Sequence, residues 1–156
     1  MPTAYRIFKT KFAKSWFDGE GAFLFGGRWN TRGTRVLYAA GSLSLATLEM
    51  LVHLDSAELL SSYSYATLEF EEKDVLPVEE FVKVPKNWSS SPPPLAVQRI
   101  GDKWAASMRS VVLRVPTSVV PGEFNYLVNV AHSGFGKARL GKPKPFNFDR
   151  RLFRPD

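Results

Sequence analysis

Glu49 is the residue whose surroundings most suggest chemistry. It stands in Leu45-Ala46-Thr47-Leu48-Glu49-Met50-Leu51-Val52, where nearly every neighbour is apolar. At about 100° per residue a helix here places Glu49 on one face with Leu45, Ala46, Val52 and His53. If that face turns inward, the carboxylate sits in the core or at a cleft, where it is expensive unless paired. Arg28 and Arg6 are the candidate partners. Arg28 follows two glycines in Gly26-Gly27-Arg28-Trp29-Asn30. Such a turn lets backbone approach a ligand closely, and the arginine fork suits an oxyanion. A plain β-turn with a surface arginine is the alternative for the same residues.

Other chemistries find less support. Gly21 and Gly26 have the outer spacing of a phosphate-binding P-loop, but Gly27 and Arg28 stand where Lys and Ser/Thr are required. Gly19 and Gly21 begin a dinucleotide fingerprint, and Leu24 occupies its third glycine position. No Gly-x-Ser-x-Gly elbow is present. The two histidines, His53 and His132, would suit an acid–base pair for RNA cleavage only if the fold united them across some eighty positions. With no cysteine, neither a disulfide scaffold nor a thiolate zinc site is possible, and two histidines argue against catalytic zinc. No metal is expected.

The elements that must carry these residues read as follows. Ala4–Phe8 alternates as a strand. Five glycines between Gly19 and Gly33 read as loop or hairpin. Val36–Ala40 is a short buried strand, and Ser42 or Ser44 caps a helix running to about Leu54. Ser62–Phe70 is a further strand. Pro77, Pro85 and the Trp88–Pro94 stretch form an exposed excursion. A second helix, Pro93–Met108, sets Val97, Ile100, Trp104 and Met108 on one face. Val111–Val115, Val119 with Val120, Tyr126–Asn129 and Phe146–Leu152 read as late strands. Strands outnumber helices without alternating strictly, so the expected class is α+β in one domain spanning residues 1–156.

Composition bounds the partners. Apolar residues are 44% of the 156 and charged residues 23%, which fits a globular domain rather than disorder. The longest apolar run, Val36–Ala40, is too short to span a bilayer, and no signal peptide is visible, so a cytoplasmic location is expected. The net charge of +6 is uneven. Residues 1–35 and 136–156 each hold seven Lys/Arg against two Asp/Glu, whereas residues 36–135 hold seven against eleven. Basic ends invite nucleic acid, but they equally suit one small anionic ligand or, for the tail, an acidic protein segment.

Three segments carry a family resemblance. Residues 26–53, GGRWNTRGTRVLYAAGSLSLATLEMLVH, resemble the signature of the RES-domain toxins of bacterial RES–Xre toxin–antitoxin pairs. The stretch Val115-Pro116-Thr117-Ser118-Val119-Val120-Pro121-Gly122-Glu123-Phe124-Asn125-Tyr126-Leu127-Val128-Asn129 resembles the second signature, and PFNFDRRLF the usual end. Thr31 and Val130 depart from it, each standing where proline is common in relatives. The resemblance maps the name-giving arginine, glutamate and serine onto Arg28, Glu49 and Ser118, and a further family position onto Tyr38.

The resemblance implies an α+β domain similar to the diphtheria-toxin class of ADP-ribosyltransferases. It also implies cleavage of NAD+ by hydrolysis or phosphorolysis, and an Xre-type helix-turn-helix antitoxin as partner. NAD+ is then a substrate, with no resident cofactor. Nucleic acid is reached only through the antitoxin, no membrane is involved, and a homo-oligomer stays open. Breaking the nicotinamide–ribose bond needs no general acid, because the leaving pyridinium becomes neutral as it departs. The site must instead stabilise a cationic ribose. On that reading Glu49 serves the ribose and developing cation, Arg28 the pyrophosphate, Tyr38 the nicotinamide and Ser118 the substrate's pose. Arg6 and Asn129 are further candidates for NAD binding. Transfer of ADP-ribose to a protein and a basic nucleic-acid-binding domain are the alternatives.

Overall fold

The computed structural model describes residues 1–55 and 57–153; Arg154–Asp156, the end of the basic tail, lie outside them. The chain opens with strand β1, Thr3–Lys9, and a short helix α1, Glu20–Phe25. Strand β2, Leu37–Ala40, leads into helix α2, Leu43–His53, and strand β3, Tyr63–Glu69, follows. Next come β4, Val75–Pro77, the single-turn helix α3, Val78–Phe81, and helix α4, Leu95–Ser107. Strands β5, Val112–Pro116, β6, Phe124–Val128, β7, Arg139–Leu140, and β8, Lys144–Phe146, complete the α+β architecture. The sheet runs β4-β5-β6-β2-β1-β3-β7, with β8 also on β3. Its pairings are antiparallel apart from β4 with β5.

Side-chain alternation assigns the two faces of this sheet. Ala4, Phe8, Leu37, Ala39, Leu68, Val112 and Val128 share one apolar core with Trp16 and Phe70. The opposite face carries both long helices. Leu45 and Ala46 of α2 pack on Ile7, Ala40 and Tyr63. Val97, Ile100 and Trp104 of α4 pack on Leu113, Val115 and Leu127. Between the two helices the sheet is weakly joined. β1 meets β2 through the single pair Tyr5↔Ala40, although β1 runs along β3 from Thr3↔Glu69 to Lys9↔Tyr63. That seam, flanked by α2 and α4, is where a cleft opens.

Four expectations are corrected here. The glycine-rich stretch is not wholly loop, because the residues between Gly19 and Gly26 turn into α1. Val119 and Val120 do not form a strand: the Thr117 hydroxyl accepts the Val119 N–H at 3.1 Å and the chain turns, with Gly122 at φ 82°. Phe146–Leu152 is not one strand, since Asp149 accepts the Arg151 N–H and starts a 3₁₀ turn after β8 has ended. The proline-rich excursion is preceded by β4 and α3, which add an edge to the sheet beside β5.

Candidate active site

A cleft of about 870 Å³ lies at the seam. The structure brings Arg6, Arg28, Tyr38, Glu49 and Ser118 to its walls, and leaves Asn129 outside them. Each of the five is set by a different local device.

Glu49 is placed by α2. The Ser42 hydroxyl accepts the Leu45 N–H at 3.0 Å and fixes the start of the helix. Leu45 and Ala46 then anchor the inner face, and Glu49, one turn further on, looks into the cleft. The expected arginine partner is absent. Glu49 Oε1 instead accepts a hydrogen bond from Thr117 Oγ1 at 2.6 Å and one from Asn125 Nδ2 at 2.8 Å. Among the described residues no hydrogen bond is made to Oε2.

Arg6 acts across the seam. Its Nη1 donates to the Tyr38 carbonyl at 2.9 Å, where β1 and β2 have parted, and its Nε donates to the Trp16 carbonyl at 3.1 Å. Burial lowers its pKa to about 10, with Asp18 opposing the shift, so it remains a cation at neutral pH.

Arg28 sits on a turn braced from below. Gly27 and Asn30 form a bridge, and Asn30, fully buried, donates to the carbonyls of Ala22, Thr31 and Thr34. The Tyr38 hydroxyl donates to Asn30 Oδ1 at 2.6 Å and accepts the Trp29 N–H at 3.0 Å. A Cβ on Gly27 would stand 2.7 Å from that hydroxyl, so only glycine leaves room for it. Helix α4 holds the same turn from the other side. Gln98 Nε2 donates to the Gly27 carbonyl, and Asp102 accepts both the N–H and the hydroxyl of Thr31. The Arg28 side chain reaches across to the proline-rich segment, where Nη1 donates to the carbonyls of Trp88 at 2.9 Å and Ser90 at 2.7 Å. Trp88 in turn stacks on Trp29. Arg28 Nε and Nη2 have no hydrogen bond among the described residues.

Tyr38 therefore offers the cleft its ring while its hydroxyl is spent on the turn. Burial raises the phenol pKa, the N–H donated by Trp29 opposing, so Tyr38 stays protonated at neutral pH and is no base there. Ser118, exposed on the turn after β5, lines the cleft beside Thr117.

The family model of the RES domain, matching residues 3–149, covers the whole of this arrangement. The chain belongs to the RES-domain family. Across 149 residues this RES domain is 38% identical to "Toxin Res" of Yersinia enterocolitica, covering 95% of the chain and 97% of the relative. It is 37% identical over 142 residues to the "Prs ADP-ribosylating toxin" of a Sphingobium species, covering 88% and 86%. Its fold matches a chain in the crystal structure of the M. tuberculosis MbcT–MbcA toxin–antitoxin complex with a TM-score of 0.74. That match has 20% identity and covers 93% of this chain and 84% of the other.

Two expected residues fall elsewhere in the RES domain. Asn129 has the face parity of Asn125 and Leu127, but it lies past the end of β6 and beneath the last turn of α4. Its amide donates to the Ala105 carbonyl there, and its Oδ1 accepts the Ala131 N–H. It secures packing instead of facing the cleft. His132 is held by the Gly134 N–H at Nδ1 and by the Met108 carbonyl at Nε2, while His53 is exposed on the cleft rim. The histidines thus form no pair.

Asn125 and Thr117 are the residues that sequence reasoning missed. The signal for Asn125 was a polar residue at an inward position of a strand that continues with buried Leu127.

Proposed function

We propose that this RES domain is the toxin of a toxin–antitoxin pair and cleaves NAD+ at the nicotinamide–ribose bond, passing the ADP-ribosyl group to water or phosphate. The observation that carries this reading is Glu49, a carboxylate held by two neutral donors on the wall of a cleft sized for a ligand. Among the described residues it makes no salt bridge, so its negative charge is available to a cation forming at the ribose C1′. In the reaction the C1′–N bond breaks and its electron pair goes to the nicotinamide ring, which leaves neutral. An oxygen of water or phosphate then bonds to C1′ and the acceptor loses a proton.

Each wall contributes to that event. Glu49 Oε2 faces the ribose, the open edge of Arg28 receives the pyrophosphate, and the Tyr38 ring borders the nicotinamide. Ser118 hydrogen-bonds the substrate, and Arg6 keeps the seam at fixed width while adding positive potential. The relatives named as toxins support the biological role, and the complex containing the matched fold supports an antitoxin partner. The Xre type of that antitoxin comes from the resemblance.

Transfer of ADP-ribose to a protein is a second reading, favoured by the name of the Sphingobium relative. Incubating the protein with labelled NAD+ and following products separates the two. Free nicotinamide with free ADP-ribose, or its 1″-phosphate when phosphate is added, supports cleavage. Label retained on macromolecules, with little free ADP-ribose, supports transfer. Intact NAD+ under all conditions refutes both.

A further inference from the structure

We propose that Thr117 and Asn125 are positioning residues that lock Glu49 through Oε1 and leave Oε2 as the oxygen presented to the ligand. The proposal rests on the reading that Glu49 faces the reacting sugar. Glu49 comes from α2, Thr117 from the turn after β5 and Asn125 from β6, so three separate segments converge on one carboxylate oxygen.

The direction of each bond is fixed. Thr117 Oγ1 accepts the Val119 N–H at 3.1 Å, which directs its own proton towards Glu49 at 2.6 Å. Thr117 is itself buried, and its N–H donates to the Glu123 carbonyl, so the turn carrying the hydroxyl is tied at both ends. Asn125 is paired with Ala40 on one side and Val115 on the other, in the middle of the sheet. Its amide therefore meets α2 from a rigid strand.

The chemistry of the donors matters as much as their geometry. An arginine at Oε1 would cancel much of the field that the carboxylate offers a developing cation. A hydroxyl and an amide hold the group in one orientation and leave its full charge in place. Ser118 is next to Thr117, so one turn both steadies Glu49 and brings the serine to the cleft wall.

The test compares Thr117→Val, Thr117→Ser and Asn125→Leu with the parent protein by nicotinamide release from NAD+ and by crystallography. Thr117→Val and Asn125→Leu are expected to lower kcat by roughly tenfold to a hundredfold with little change in KM, since a misplaced group loses transition-state stabilisation first. Thr117→Ser should restore the parent rate to within about threefold. In crystals of Asn125→Leu and Thr117→Val the Glu49 carboxylate should leave its single orientation. An unchanged kcat in a folded variant, or Glu49 fixed in its original orientation without these donors, overturns the proposal. If the parent protein releases no nicotinamide, the NAD+ reading fails, and the crystallographic position of Glu49 decides the positioning claim alone. Should Thr117→Val fail to fold, Asn125→Leu carries the same decision.

Discussion

Replacing Tyr38 with Phe separates a chemical role for its hydroxyl from an architectural one. The hydroxyl joins two groups of the arginine turn, donating to Asn30 Oδ1 at 2.6 Å and accepting the Trp29 N–H at 3.0 Å. Trp29 is 2% exposed and Asn30 not at all, so both groups lose their partner inside the protein. A buried polar group left without a partner costs roughly 1–3 kcal/mol. Water admitted from the adjoining cleft offsets part of that, which leaves about 2–4 kcal/mol for the pair. For a chain of this length, 3 kcal/mol corresponds to a fall in Tm of about 6–12 °C. Urea unfolding followed by tryptophan fluorescence should show a lower midpoint with an unchanged m-value. The loosened turn should also raise KM for NAD+ more than it lowers kcat, because it is Arg28 that moves. A loss below about 0.5 kcal/mol, or a collapse of kcat at full stability, would refute the reasoning and return the hydroxyl to the chemistry.

Three further outcomes follow from the same framework. Gly101→Ala places a Cβ against the carbonyl oxygen of Trp29, so α4 must lift from the turn; a loss of about 1–3 kcal/mol is expected in thermal unfolding, and an unchanged Tm would contradict the close approach. Asp102→Ala removes both acceptors of Thr31, at 2.9 and 2.6 Å, and should destabilise by about 2–4 kcal/mol while raising KM; normal stability would show that α4 does not brace the turn. The third concerns alkaline pH. Burial raises the Tyr38 phenol above its ordinary value of 10.0, so its contribution is whole below pH 10 and is lost as pH rises towards the folded value. Denaturation midpoints measured from pH 9 upward should therefore fall more steeply in the parent than in Tyr38→Phe. Arg6 contributes in the opposite direction, because its lowered pKa favours the folded state as pH rises above about 10. Equal slopes would exclude Tyr38 as the source, leaving Tyr63, whose phenol is also raised.

How far the sequence reached depends on the range of the interaction in question. The α2 helix was legible in its cap at Ser42 and in the face shared by Leu45, Ala46 and Glu49, because both signals lie within a few turns of one element. Helix α4 and strand β3 were legible for the same reason. The location of Glu49 at a cleft followed from its apolar neighbours, but its partners did not. Charge complementarity pointed to an arginine, whereas pairing across β6 and the turn after β5 supplied two neutral donors. Register decides such contacts, and it is set by the assembled sheet.

Asn129 lies outside the cleft walls for a related reason. Its parity was right, but the end of α4 covers it, and no local pattern reports which end of a strand a helix crosses. The Gly26–Asn30 turn could equally have been read as a surface feature. Its link to Tyr38, Gln98 and Asp102 spans up to 71 positions and became visible only in three dimensions.

The most direct measurement of the central claim is nicotinamide release from NAD+ by the parent protein and by Glu49→Gln, with far-UV circular dichroism and Tm recorded for both. Gln keeps the side-chain shape and removes the negative charge that would stabilise the ribosyl cation. The expected result is release by the parent and a loss of at least about a hundredfold in kcat for the variant, with the fold intact. Turnover by Glu49→Gln within a few-fold of the parent would contradict the account.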